Sequence, residues 1–180
     1  MNNPLDRLQE LLDKQDIAEC LTRFSRGIDR LDRALFLSAF HDDAVIAAGP
    51  FVGSAAQCYD WAGPLHEAGQ FATQHNLLNL TIDLEGDTAH TETYYFFVGR
   101  NRDETNWMAG GRYVDRLERR AGQWKIALRT NVIEWQQVGP GMEPPFGDLP
   151  DVALNGSAAR SPEDISYRRP LTNRREPQLP

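Results

Sequence analysis

Residues 73–100 read TQHNLLNLTIDLEGDTAHTETYYFFVGR. Two runs rich in Leu, Ile, Thr, Tyr, Phe and Val flank Glu85-Gly86-Asp87. β-Branched and aromatic residues on both sides of a Gly-containing turn predict paired antiparallel strands. Working outward, strands are predicted over 71–84, 88–100, 106–120 and 123–137, with Arg102-Asp103-Glu104 and Ala121-Gly122 as the further turns. Upstream the period changes. Ile17, Leu21, Phe24, Ile28 and Leu31 recur at steps of four and three, the spacing of one helix face. Asp13 reads as the N-cap of that helix. A shorter helix is expected over 33–40, and a small hairpin over 44–48 and 51–53 around Gly49-Pro50. Ser54 is expected to cap a third helix to about Trp61, which Gly63-Pro64 would bend or end. Helices followed by four long antiparallel strands mean an α+β fold rather than a parallel sheet.

The chain has 180 residues, 41% hydrophobic and 25% charged, which suits one domain with a sizeable core. Its net charge of −7 argues against a nucleic-acid surface, because phosphate binding needs clustered Lys and Arg. No apolar run is long enough to span a membrane. The first residues, MNNPLDRLQE, lack the basic and apolar regions of a signal peptide, so a cytoplasmic location is expected. Cys20 and Cys58 cannot form a disulfide framework and read as small buried hydrophobes; no CxxC or Cys/His metal spacing occurs. Proline and glycine dominate from Gly139 onward. The folded domain is therefore expected over 1–138, and 139–180 as an extended tail that wraps a neighbour or stays mobile. Arg168, Arg169, Arg174 and Arg175 make that tail locally basic, which fits a solvated or subunit-contacting segment.

Thr22, Ser25 and Asp29 form a row beside the apolar helix stripe, so Asp29 can point inward. On the first long strand Thr73, His75, Leu77 and Asn79 share one face. An inward carboxylate bonded to one imidazole nitrogen would fix the tautomer and leave the other nitrogen to take a proton. Arg129 lies near the sheet centre, where a guanidinium needs a carboxylate or an anionic ligand group as partner. Alternation alone leaves open which sheet face is the cavity.

The segments GIDRLDRALFLSAFHDDAVIAAGPFVG (27–53), 73–100 above, and GGRYVDRLERRAGQWKIALRTN (110–131) come in a telling order. Over residues 5–137 the chain resembles the SnoaL-like branch of the nuclear transport factor-two-like superfamily. The resemblance implies a cone in which N-terminal helices and a strongly curved, mainly antiparallel sheet enclose a deep apolar pocket. Within the superfamily the chain is similar to the group of hexachlorocyclohexane dehydrochlorinase, bile-acid dehydratase and scytalone dehydratase. In that group an Asp on the first long helix orients a His on the first long strand. The His abstracts a carbon-bound proton, and elimination follows without metal or organic cofactor. Asp29 and His75 match those positions, and Arg129 matches a pocket arginine that helps the departing group. The same match implies that Thr73, Tyr94, Phe96, Ala109, Tyr113, Asn131 and Ile133 line the pocket, with Ile46 below. Phe24 is a departure: five residues before the Asp the dehydrochlorinase has lysine and bile-acid dehydratase tyrosine. Tyr94 is the candidate to replace that missing group as general acid or substrate hydrogen-bonder.

An aromatic lining that includes Tyr59, Trp61 and Trp107 suggests an aromatic or polycyclic ligand. The expected function is a cofactor-independent lyase acting by dehydration, dehydrohalogenation or loss of a small carbonyl fragment. The alternatives are an isomerase or polyketide-type cyclase, or a non-catalytic ligand-binding or dioxygenase small-subunit-like scaffold. The exposed sheet face and the tail suggest a homo-oligomer, dimer or trimer.

Overall fold

A computed structural model describes residues 3–143, 149, 151–156 and 159–177. The first helix, α1 (Pro4–Asp29), starts well before Asp13 because Asn3 caps it: its side chain accepts from the Leu5 amide, and Pro4 follows at the first helical position. Asp13 is not the cap. Its carboxylate is buried and accepts from Trp124 Nε1 at 3.0 Å, Arg119 Nη1 at 2.7 Å and Gln9 Nε2 at 3.1 Å, tying mid-helix to the sheet. The helix ends at Asp29, and Leu31 takes a left-handed φ of 53°, which removes it from the helical stripe. A short α2 (Arg33–Ser38) follows, capped by Asp32. Gly27 lets the two helices touch, because a Cβ there would fall on the backbone of Phe36.

The hairpin forms as β1 (Phe40–Ala48) and β2 (Phe51–Ser54), with Gly49 at a φ of 56° in the turn. Next comes α3 (Ala55–Gly69), opened by a capping box between Ser54 and Gln57. It does not stop near Trp61 but runs through Pro64. Its last carbonyls have partners: Arg102 donates to Glu67 O, and Arg160 Nη1 donates to His66 O at 2.7 Å. Four long strands complete the sheet: β3 (Gln70–Glu85), β4 (Thr88–Asn101), β5 (Thr105–Arg120) and β6 (Gln123–Pro140). The order is β2-β1-β6-β5-β4-β3, antiparallel except where β1 lies parallel to β6.

Register shifts at Leu77/Leu80 in β3 and at Gly110/Gly111 and Arg116/Leu117 in β5 bend the sheet around the helices. At Gly111 the backbone of β6 comes so close that a Cβ would meet the Val132 carbonyl oxygen. The core lies between the concave sheet face and the helices. Ile17, Leu21, Phe24 and Ile28 of α1 and Phe36 of α2 are buried with Leu117, Trp124 and Ile126 of the sheet. Cys20 is buried and donates to Ala39 O, and burial pushes its thiol up to about 11. Among the described residues no helix is long and apolar enough to cross a membrane.

Part of the tail packs on its own chain. Tyr167 OH donates to Asp32 at 3.1 Å, the Arg26 guanidinium lies 4.7 Å from the Tyr167 ring centre, and Arg160 reaches α3 as above. Pro144, Pro145, Pro150 and Pro180 lie outside the described residues.

Two substitutions test this frame by thermal unfolding. Asp13→Ala leaves the buried Trp124 N–H without an acceptor and is expected to cost about 1–3 kcal/mol. Gly111→Ala must push β6 outward at the bend and is expected to cost about 2 kcal/mol or more, lowering Tm by roughly 4–8 °C. An unchanged Tm in either variant contradicts the corresponding contact.

Candidate active site

The C-terminal end of α1 and the start of β3 meet through one carboxylate. Asp29 Oδ1 lies 2.7 Å from His75 Nδ1, and Asp29 Oδ2 accepts from the His75 backbone amide at 2.8 Å. Ser25, one turn earlier on the same helix face, donates to His75 O at 2.7 Å. Thr22, the third residue of the expected row, is exposed and bonds Ala18 O instead. The side chains of His75 and Asp29 keep only 10% and 13% of their accessible surface. With both acceptor atoms of Asp29 engaged by His75, Nδ1 carries the proton in the neutral ring and Nε2 is the free acceptor.

His75 opens onto a cavity of about 360 Å³, a small-molecule size. Phe24, Ile46, Trp61, Trp107, Ala109, Tyr113, Arg129, Asn131 and Ile133 line it, as expected. Ile28, Phe36, Cys58, His66, Gln70, Tyr95, Phe97 and Gln136 also line it and were not anticipated. Burial raises the Cys58 thiol to about 11, so it behaves as a packing group. Burial likewise pushes the Tyr113 phenol well above its ordinary range and keeps it protonated.

Arg129 is 1% exposed. Its Nε and Nη2 donate to Asp115 Oδ1 and Oδ2 at 2.7 and 2.6 Å, since the two residues are direct partners across β5 and β6. Burial opposes the charge, but Asp115 outweighs it and raises the Arg129 pKa. The guanidinium carbon lies 3.9 Å from the ring centre of Phe24 and 4.3 Å from that of Tyr113. Nη1 is buried and has no hydrogen-bond partner among the described residues. Phe24 thus offers a ring face that stacks on this cation.

Four expected pocket residues lie elsewhere. Tyr94 is 43% exposed on the outer face of β4, its ring 5.9 Å from the Arg112 guanidinium, so it is no general acid for this cavity. Phe96 shares that outer face and packs on Trp135. The cause is hairpin register. Arg100 pairs with Asn106 across the β4–β5 turn, so Phe97 falls opposite Ala109 and Tyr95 opposite Gly111. Odd-numbered residues of both strands therefore face the cavity, and Tyr95 takes the place expected for Tyr94, stacked on Tyr113 with ring centres 4.5 Å apart. Tyr59 is buried behind the wall, against Phe36. Thr73 is buried two residues from His75 but outside the cavity. The shift at Gly110/Gly111 also brings Gln136, rather than Trp135, to the inner face opposite Ala109. Among the described residues no group of three or more His, Cys, Asp or Glu side chains is placed to hold a metal ion.

Comparison with known proteins agrees with this architecture. "Terrestric acid biosynthesis cluster protein E" of Penicillium crustosum is 28% identical over 145 residues, 74% of this chain and 91% of that protein. The crystal structure of LinA superposes with a TM-score of 0.71 at 19% identity, covering 77% of this chain and 99% of LinA. A putative scytalone dehydratase from Novosphingobium aromaticivorans gives a TM-score of 0.65 at 19% identity, covering 77% of this chain and 95% of that one. These solved structures share the helix-and-curved-sheet cone. The family described as SnoaL-like domain matches residues 9–130, well over half of the sequence, and the chain belongs to that family.

Proposed function

We propose that the protein is a lyase that eliminates a small leaving group from an aromatic or polycyclic molecule by acid–base chemistry of its own side chains. The observation that carries this reading is the Asp29–His75 contact at the wall of an aromatic cavity. His75 Nε2 takes a proton from a substrate carbon, and the electron pair of that C–H bond becomes the new π bond. The adjacent bond to the leaving group breaks with both electrons on the leaving group. Asp29 balances the imidazolium that forms, and Arg129 Nη1 donates to the departing atom or the developing anion. The proton on His75 then returns to the released group or to water, which restores the neutral ring. Hydroxide or halide fits as the group lost in this step. For loss of a small carbonyl fragment, His75 instead takes the proton of a hydroxyl, the O–H pair becomes the C=O bond of the fragment, and the pair of the broken C–C bond stays on the ring, which is then protonated.

The biosynthesis-cluster relative and the likeness to LinA and a putative scytalone dehydratase support a small-molecule role of this kind. An isomerase would use the same proton abstraction without loss of mass. The proposal places the protein in the cytoplasm as a homo-oligomer, with Tyr94, Val114, Leu128 and Trp135 as exposed apolar residues of the sheet available for subunit contact.

Turnover of a pooled set of hydroxylated and halogenated aromatic metabolites, read by mass spectrometry, tests the chemistry. A product lighter by one leaving group plus one proton is expected with the native protein. His75→Ala should lower the rate by about 10²–10⁴-fold. Asp29→Asn should fold yet lose activity on a similar scale, about 10²–10⁴-fold, because an amide can donate to Nδ1 and move the ring proton to Nε2. Equal turnover by native protein and His75→Ala would remove His75 as the base, and a product of unchanged mass would replace the lyase by an isomerase.

A further inference from the structure

His66, near the end of α3, stands at right angles to His75, with ring centres 5.7 Å apart. Both rings line the cavity, and the elimination gives His66 no part. Its orientation is nonetheless elaborately held. His66 Nδ1 lies 2.9 Å from Gln70 Oε1, and Gln70 Nε2 donates to Asn101 Oδ1 at 3.1 Å. Asn101 Nδ2 donates to Thr105 Oγ1 at 2.9 Å, and the Thr105 hydroxyl donates to Asp103 Oδ1 at 2.6 Å.

The direction of this chain is set at its far end, because a carboxylate can only accept. The Thr105 hydroxyl gives its proton to Asp103, so its oxygen accepts from Asn101. Asn101 then presents its own oxygen to Gln70, and Gln70 presents Oε1 to His66. In the neutral ring the His66 proton is therefore on Nδ1, and Nε2 is a bare acceptor with no hydrogen-bond partner among the described residues. Burial first, and the neighbouring His75 second, lower the His66 pKa to about 4, so at neutral pH Nε2 accepts rather than donates. Phe97 closes one side of it, with ring centres 5.8 Å apart. A bare acceptor on the aromatic wall of a cavity is best satisfied there by a ligand donor.

We propose that His66 is the specificity-determining residue of the pocket and that the substrate is a hydroxylated ring compound. A phenolic or enolic hydroxyl donates to His66 Nε2, which sets a neighbouring C–H bond of the same molecule against His75. The second half of that statement rests on the elimination reading; the hydroxyl contact is a matter of binding and does not.

Equilibrium dialysis with 2-naphthol and 2-methoxynaphthalene tests the contact, because the ether has the ring and the oxygen but no proton to donate. The native protein should bind the naphthol about tenfold or more tightly than the ether, the effect of one cavity acceptor filled or left empty. His66→Phe should reduce that ratio to less than about threefold, while His75→Ala keeps it. Gln70→Leu retains the His66 ring but removes the acceptor that fixes its tautomer, and should also weaken the preference. If His66→Phe does not fold, the native His66 Nε2 resonance in ¹⁵N NMR should move on adding the naphthol and stay still with the ether. The proposal is overturned by a native protein that shows no preference or binds neither compound. It is equally overturned by a preference that survives both His66→Phe and Gln70→Leu, or that depends on His75 alone. Should the turnover experiment exclude His75 as a base while the naphthol preference follows His66, the elimination reading falls and the binding site stands.

Discussion

Everything at this site depends on one carboxylate meeting two donors of a single residue. A carboxylate as enclosed as Asp29 must recover in hydrogen bonds what it loses in hydration. It does so against the amide and the imidazole of His75, at 2.8 and 2.7 Å. The pair of bonds joins the end of α1 to the start of β3 and fixes both the position and the tautomer of the ring. Ser25 adds a third tie to the same residue through the His75 carbonyl. Moving α1 by even one residue would break all three, so the packing of the helix on the sheet and the chemistry of the ring are one constraint.

The remaining polar groups follow the same economy of partners. Asp115 and Arg129 sit opposite each other in the sheet and satisfy one another with two parallel hydrogen bonds, and among the described residues the guanidinium Nη1 has no partner. Stacking between Phe24 and Tyr113 holds that nitrogen in place. A relay ending in Asp103 holds His66, beside His75. The result is an aromatic chamber whose polar groups include two differently oriented imidazoles, one held by Asp29 and the other through Gln70, and the Arg129 cation.

Much of this was legible in the sequence, for definable reasons. The 3.6-residue recurrence of Ile17, Leu21, Phe24 and Ile28 and the alternating runs after Gly69 set the element order, and resemblance within the family pointed to Asp29, His75 and Arg129. Parity on β4 was not legible. Whether Tyr94 or Tyr95 faces inward depends on how many residues the β4–β5 turn consumes, and Tyr-Tyr-Phe-Phe is apolar on both faces. Asp13 reads as a cap because a capping carboxylate and a buried one look alike in sequence; its partners Trp124 and Arg119 arrive from more than a hundred residues away. His66 is not legible because Gly63-Pro64 suggests that the helix ends near Trp61, whereas it continues about two turns further to Gly69, where Arg102 and Arg160 donate to its last carbonyls.

The central claim is that Asp29 leaves His75 Nε2 as a bare acceptor facing the cavity. Imidazole ¹⁵N NMR on histidine-labelled protein tests it directly, without knowledge of the substrate. The account predicts that neutral His75 shows a protonated Nδ1 and an unprotonated Nε2, and that Asp29→Asn reverses the assignment. A proton found on Nε2 of the native ring, or a tautomer indifferent to Asp29, would contradict it.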